Sequence, residues 1–310
     1  MRYEVLISTC LLLMAAEPGA GQAPPSATPT PTVEERFEGY LWLDVEGLPL
    51  PFQSDEEIEE FLRTATVEST EKIPVGVTGP RKVVLAGDGV RANTVFKDIE
   101  RREKGVTKKI AGNRYRFRDW RDSHTYDVAA YHLDRLLGLD RVPPAAPRKI
   151  KSKDGSVKIW VEGSITEKER QDRGCSPPDS IRWNQQRQIM HIFDNLVANR
   201  DSNLGNSLID NNWRVWFIDC GRCFGETTEL FYPSAVTHCE RGLWQALQEL
   251  DGEMLEERLG SYLTVHERRA LLARRDELVQ RLQDRIDELG EARVLYDLRP
   301  AGEHAPCAGE

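Results

Sequence analysis

Ala198 to Gly225 reads ANRDSNLGNSLIDNNWRVWFIDCGRCFG, and the fold is decided by how that stretch pairs with itself. Ser207 to Ile209 and Trp213 to Ile218 are β-rich runs on either side of the polar turn Asp210-Asn211-Asn212, which predicts a hairpin. Antiparallel pairing sets the start of the first strand beside the end of the second. Asn206 and Asp219 are thereby expected to meet, with Asp201 on the loop just upstream. Two acids and an amide at a hairpin mouth make a hard-oxygen site suited to Mg²⁺ or Mn²⁺ carrying phosphates. Either half alone is commonplace: D-x-x-x-x-N recurs by chance, and an acid before a glycine often marks only a turn. Both halves on one hairpin are what point to a site.

The spacing is that of kinase catalytic segments. There an Asp orients the acceptor hydroxyl, an Asn five residues on holds metal, and a later Asp holds metal between the phosphates. The stretch resembles the catalytic segment of the phosphatidylinositol 3- and 4-kinase-like superfamily, with D-R-H-x-x-N and then a hydrophobic strand ending in D-x-G or D-H/N-G. It is also similar to the secretory-pathway Golgi casein kinases and to bacterial proteins with the same core. Here Ser202-Asn203 stands where the Arg-His follows the Asp. The resemblance implies a two-lobed α+β fold, with a mostly antiparallel N-lobe sheet and a helical C-lobe. It implies ATP as donor, Asp201 as the acceptor-orienting acid, and Asn206 and Asp219 as metal ligands.

Upstream, Lys72 to Lys97 reads KIPVGVTGPRKVVLAGDGVRANTVFK. Arg81 to Leu85 and Val90 to Lys97 are strand-like, and Gly87-Asp88-Gly89 joins them as a hairpin turn. The loop before them carries Gly76 and Gly79, whose backbone amides are suited to phosphates. A lysine closing a strand is ordinarily a solvated end. Beside a kinase-like segment, Lys97 becomes the residue for the α/β-phosphates, and Asp127, in the first turn of a helix from Thr125 to Leu137, its partner. Similar kinases carry Glu there. Asp98 to Asp122 reads as a charged, flexible insertion. Strands follow at Ala146 to Ile150 and Val157 to Val161, and Ile159 to Gly163, with Glu162, is the expected nucleotide-binding hinge. A polar loop over Glu167 to Ser180 leads to a helix over Ile181 to Val197, with His191 packed beside its apolar stripe. Helices are expected over Arg241 to Leu250, Met254 to Leu259 and Val265 to Leu289, the last with an apolar stripe among alternating charges.

The net charge of −9 speaks against a nucleic-acid or anionic-membrane partner. Val5 to Ala16 is an apolar run after Arg2, too short to span a bilayer and followed by small residues, as in a signal peptide. Export to the periplasm or outside the cell is the expectation, with a cytoplasmic location as the alternative and no transmembrane span in either case. The expected organisation is a signal peptide at 1–23, a disordered linker at 24–53, an N-lobe at 54–165, a C-lobe at 166–298 and a tail at 299–310. Six cysteines, five beyond the leader, give no disulfide framework. The C-x-x-C of Cys220 and Cys223 has no second pair to make a zinc site. The functional expectation is an ATP- and metal-dependent phosphotransferase acting on a protein or small-molecule hydroxyl. The rival is a pseudokinase, a nucleotide-binding scaffold, favoured by Asp127 in place of Glu and by the absent Arg-His.

Overall fold

The computed structural model describes residues 42–74, 79–110 and 113–302. The expected signal peptide, most of the expected linker and Gly76 lie outside them.

Helix α1 (Asp55–Thr64) starts at Ser54, whose hydroxyl accepts from the amide of Glu57, and buries Ile58, Phe61 and Leu62. An antiparallel five-stranded sheet follows, ordered β1-β2-β3-β7-β6. Its strands are β1 (Thr66–Lys72), β2 (Arg81–Gly87), β3 (Val90–Lys97), β6 (Ala145–Ile150) and β7 (Lys153–Ile159). On β2 and β3 the inward side chains are Val83, Leu85, Ala92 and Phe96, all buried, as alternation requires. At the β2–β3 turn Asp88 and Gly89 have φ of 50° and 77°, the paired left-handed geometry that matches strand twist. Strand β1, TVESTEK, was not legible: it is a polar edge strand with no buried residue.

The charged stretch expected to be a flexible insertion is instead a long hairpin, β4 (Glu100–Ile110) and β5 (Asn113–Ser123), forming its own two-stranded sheet. Its charges pair across the strands, Arg102 with Asp119 at 2.9 Å and Arg121 with Glu100 at 3.1 Å. The Lys108 ammonium lies 4.3 Å from the centre of the Trp120 ring. Opposite charges and a cation over an aromatic ring stabilise a ladder that composition alone made look solvated.

Helix α2 (His124–Leu136) is capped by Ser123, ends before Gly138 at φ 63°, and packs on β6 and β7. Residues 160–163 cross from the sheet to β8 (Ile165–Thr166). A short helix, α3 (Glu167–Asp172), then occupies part of the expected polar loop. The Thr166–Glu169 capping box, in which each side chain satisfies the other's amide, is the signal that was overlooked. Helix α4 (Ser180–Leu196) leads to β9 (Ser207–Ile209) and β10 (Val215–Phe217), which with β8 form a sheet ordered β10-β9-β8. The chain ends in α5 (Arg241–Glu249), α6 (Gly252–Leu259), the long α7 (Val265–Leu289) and α8 (Glu291–Val294). Leu271, Leu278 and Leu282 of α7 are fully buried in a core shared with α2 and α4. Cys239–Glu240 and Leu295–Tyr296 pair in parallel behind them.

Both flanks of the fold are more ordered than expected. Within the expected linker, Trp42 and Leu50 are buried, and the Trp42 ring lies 5.2 Å from that of Trp216 at 54°. In the expected tail, Arg299 donates from its backbone amide to Gln185 at 2.9 Å. No helix among the described residues is long and apolar enough to cross a membrane.

Candidate functional site

Strands β9 and β10 pair Ser207 with Phe217 and Ile209 with Val215. The amide of Ile218 donates to the carbonyl of Asn206 at 3.1 Å, so Asn206 sits beside the residue that precedes Asp219. Asp219 has φ 62°, left-handed backbone that is uncommon outside glycine and that Asp tolerates better than most residues. The Asn206 side-chain amide donates to the carbonyl of Asp201 at 2.8 Å, closing the loop between the two. The structure thus gathers Asp201, Asn206 and Asp219 at one end of the hairpin.

The loop carrying Asp201 is built on Asp194, at the buried end of α4. Asp194 accepts from Asn199 at 2.8 Å and from Ser202 at 2.6 Å. Burial pushes its carboxyl up to about 6, with the Ser202 and Asn199 hydrogen bonds pulling the other way.

Lys97, at the end of β3, reaches both acids: its ammonium is 3.0 Å from Asp127 and 2.6 Å from Asp219. Strand β7 approaches the end of β3 closely here. A Cβ on Gly155 would stand 2.3 Å from the Lys97 carbonyl oxygen, so only glycine fits there. Asp127, at the start of α2, is shared with a second lysine, Lys158 of β7, at 2.7 Å, and also accepts from the amide of Cys220 at 3.3 Å. Lys158 was not singled out from the sequence, although a lysine between Val157 and Ile159 in an apolar strand was the available signal. Two ammoniums and two carboxylates make a neutral, largely buried cluster. Burial opposes charge on every buried member of it. Its partners nevertheless hold Asp127 below the usual carboxylate range and Lys97 above the usual lysine value. Burial wins at Lys158, which is lowered, with Lys97 repelling it and Asp127 supporting it.

The other nucleotide-site candidates stand apart from that cluster. Gly79, at φ 64°, lies in the loop joining β1 to β2, where a Cβ would meet nothing within 4 Å. Glu162 accepts from Asn93 of β3 at 2.6 Å, tying the crossing segment to the sheet. The backbone amide of Trp160 in that segment donates to the Asn93 carbonyl at 3.0 Å. A cavity of about 130 Å³ lies beneath the site, and Lys158, Asp194, Asn206 and Cys220 are among its walls.

Immediately after Asp219 the chain closes on itself through a Cys220–Cys223 disulfide, and Cys175 is disulfide-bonded as well. The expectation that the cysteines form no disulfide framework is therefore corrected: an odd count without regular spacing does not reveal a ring closed within four residues. Inside the ring the Gly221 carbonyl accepts from the amide of Ser123 at 2.8 Å. A Cβ on Gly221 would approach Asp122 to 2.9 Å. Arg222 bridges two acids, with Nε 2.9 Å from Asp122 and Nη1 3.0 Å from Asp201.

A family model described as Golgi casein kinase, C-terminal, Fam20 matches residues 49–159. No curated protein matches the sequence significantly. Among solved structures, hydra Fam20 with sugar is similar at a TM-score of 0.60 and 15% identity, covering 86% of this chain and 99% of that one. The Golgi casein kinase with Mn/ADP bound gives 0.55 and 16%, covering 78% and 79%. A second structure of the Golgi casein kinase gives 0.55 and 15% over the same shares. The mixed architecture, with its antiparallel sheet set against a helical half, is thus the kinase-like fold of the Fam20 proteins.

Proposed function

We propose that the chain is a phosphotransferase that uses ATP and Mg²⁺ or Mn²⁺ to phosphorylate a hydroxyl of a protein or small molecule. The observation that carries this reading is the Lys97 ammonium held between Asp127 and Asp219, with Asp201 and Asn206 beside it on one hairpin. The Fam20 family match, and the similarity to a casein kinase bound to Mn/ADP, support the choice of nucleotide and metal. The finer placement beside phosphatidylinositol 3- and 4-kinases rests on motif spacing alone.

The donor set fits a hard cation. Asp219 offers a carboxylate and Asn206 an amide oxygen, and no cluster of three or more His, Cys, Asp or Glu competes among the described residues. Two protein ligands suit an ion whose remaining ligands are phosphates and water. A divalent cation held by Asp219 and Asn206 would supply charge neutralisation for the phosphates. Lys97 would hold the α/β-phosphates, Asp127 and Lys158 would hold Lys97 in register, and Asp201 would orient the acceptor hydroxyl and take its proton. Catalysis of this kind is positioning and charge neutralisation, with no covalent intermediate. We take 54–165 as the lobe that carries Lys97, and 166–298 as the lobe that carries the metal and acceptor residues. The Gly76–Gly79 loop would close over the phosphates, and the segment containing Glu162 would face the adenine.

One observation favours the scaffold reading: the Asp201 carboxylate is already engaged by Arg222. Nucleotide titration alongside transfer assays on two variants decides between them. Asp219→Ala should abolish metal-dependent nucleotide binding. Asp201→Asn should leave binding nearly intact and lower turnover by about 10²–10⁴, the usual contribution of a positioned acid–base group. Mg-ATP bound by Asp219→Ala as tightly as by the wild type would overturn the site. A wild type that binds but never transfers would leave the scaffold.

We also take the chain to be exported. The Val5 to Ala16 run supports this, as do disulfides at Cys220–Cys223 and at Cys175, since such bonds persist in oxidising compartments.

A further inference from the structure

The β4–β5 hairpin touches the Asp201 loop at two separate points, each through an arginine. At the first, the Arg200 guanidinium sits among three aromatic rings, 5.0 Å from Tyr115, 4.3 Å from Phe117 and 3.8 Å from Phe231. No carboxylate lies within ion-pair distance of Arg200 among the described residues, so aromatic faces take the place of a counter-ion. Tyr232 adds a hydroxyl donated to the Arg200 carbonyl at 3.3 Å. At the second point, Arg222 joins Asp122, at the far end of the same strand, to the Asp201 carboxylate itself. Phe117 and Asp122 are five residues apart on β5, about 17 Å along an extended strand. Two contacts that far apart on one hydrogen-bonded hairpin fix an orientation as well as a position. Neither contact is needed by Lys97, whose partners are Asp127 of α2 and Asp219 just beyond β10.

We propose that the β4–β5 hairpin is the element that aims Asp201 at the acceptor, with Arg200 and Arg222 as positioning residues. This rests on reading Asp201 as the acceptor-orienting acid. It predicts a separation that a general structural role would not give: the hairpin governs the transfer step and leaves nucleotide binding alone.

The test uses the full chain with Phe117→Leu, which removes the ring and keeps apolar volume, together with Arg200→Lys and Arg200→Ala. Three quantities are measured: hydrogen exchange of residues 199–206, affinity for Mn-ADP by titration, and transfer kinetics. Phe117→Leu and Arg200→Ala should speed exchange in that segment roughly tenfold, the effect of losing a desolvated cation–π contact. Affinity for Mn-ADP should stay within about twofold, kcat should fall about 10–100-fold, and Arg200→Lys should recover part of both losses. Unchanged exchange at 199–206 in both variants overturns the proposal, as does a loss confined to nucleotide affinity. If the wild type transfers nothing, the phosphotransferase reading falls by itself, and the exchange result still decides whether the hairpin holds the loop. Should Arg200→Ala not fold, Phe117→Leu carries the same three measurements.

Discussion

At the residue scale, Asp127 stands between two ammoniums, 3.0 Å from Lys97 and 2.7 Å from Lys158, with almost no exposure. A buried charge stripped of its partner costs far more than the pair is worth intact. Asp127→Asn leaves two cations facing the single carboxylate of Asp219 and should destabilise the fold by about 3–5 kcal/mol. Adding Lys158→Met removes one of the stranded cations and should return part of that loss, a coupling readable by urea unfolding of the double-mutant cycle. Strict additivity would mean that Lys158 does not share Asp127. Asp201, Asn206 and Asp219 could be named as candidates from motif spacing, and Lys97 and Asp127 from the resemblance that this spacing carries. Asp127, where similar kinases carry Glu, still comes within 3.0 Å of Lys97. Lys158 was not legible as its partner, since only the β3–β7 register and the packing of α2 bring it there. Arg200 and Arg222 escaped for the same reason: their partners are distant in the chain, Tyr115 and Phe231 lying 85 and 31 residues from Arg200, and Asp122 and Asp201 lying 100 and 21 residues from Arg222.

At the element scale, the four-residue ring after Asp219 is a covalent brace on a loop whose backbone is otherwise unfavourable. Closing so short a loop constrains the unfolded chain by only about 2 kcal/mol in the chain-entropy account. Replacing both cysteines, Cys220→Ala with Cys223→Ala, should lower Tm by about 4–8 °C, taking 2–4 °C per kcal/mol for a domain of this size. The variant should still unfold in one cooperative step. An unchanged Tm in scanning calorimetry would show that the ring contributes nothing to holding the Asp219 loop. Elements with an apolar period were read correctly, among them the β2–β3 hairpin, α4 and α7. Those stabilised by paired charges or by capping were not. The β4–β5 ladder looks like a solvated run until Arg102 is set opposite Asp119, and α3 depends on the reciprocal Thr166–Glu169 cap.

At the scale of the whole molecule, two-lobed architecture followed from one hairpin and its resemblance, whereas the ends of the fold did not. The Pro-, Ser- and Thr-rich run ends at Thr32, ten residues before Trp42, and the charged stretch between them does not mark where the described segment begins. The compartment is a property at this scale too. Export predicts a native N-terminus generated by cleavage between about Ala16 and Ala23, at the small residues that follow the apolar run. Mass spectrometry of the protein from its own host checks this, and an intact Met1 or Arg2 would refute it. The packing of Trp42 against Trp216 has a spectroscopic meaning as well. Two indoles with centres 5.2 Å apart and planes inclined at 54° are close enough for their electronic transitions to mix. Trp216 lies on the strand that leads to Asp219, and its ring nitrogen donates to Asp210 at the hairpin turn. The coupled pair is therefore expected to contribute an exciton-type circular dichroism signal, an optical gauge of whether the segment at Trp42 is seated on the strand that precedes Asp219.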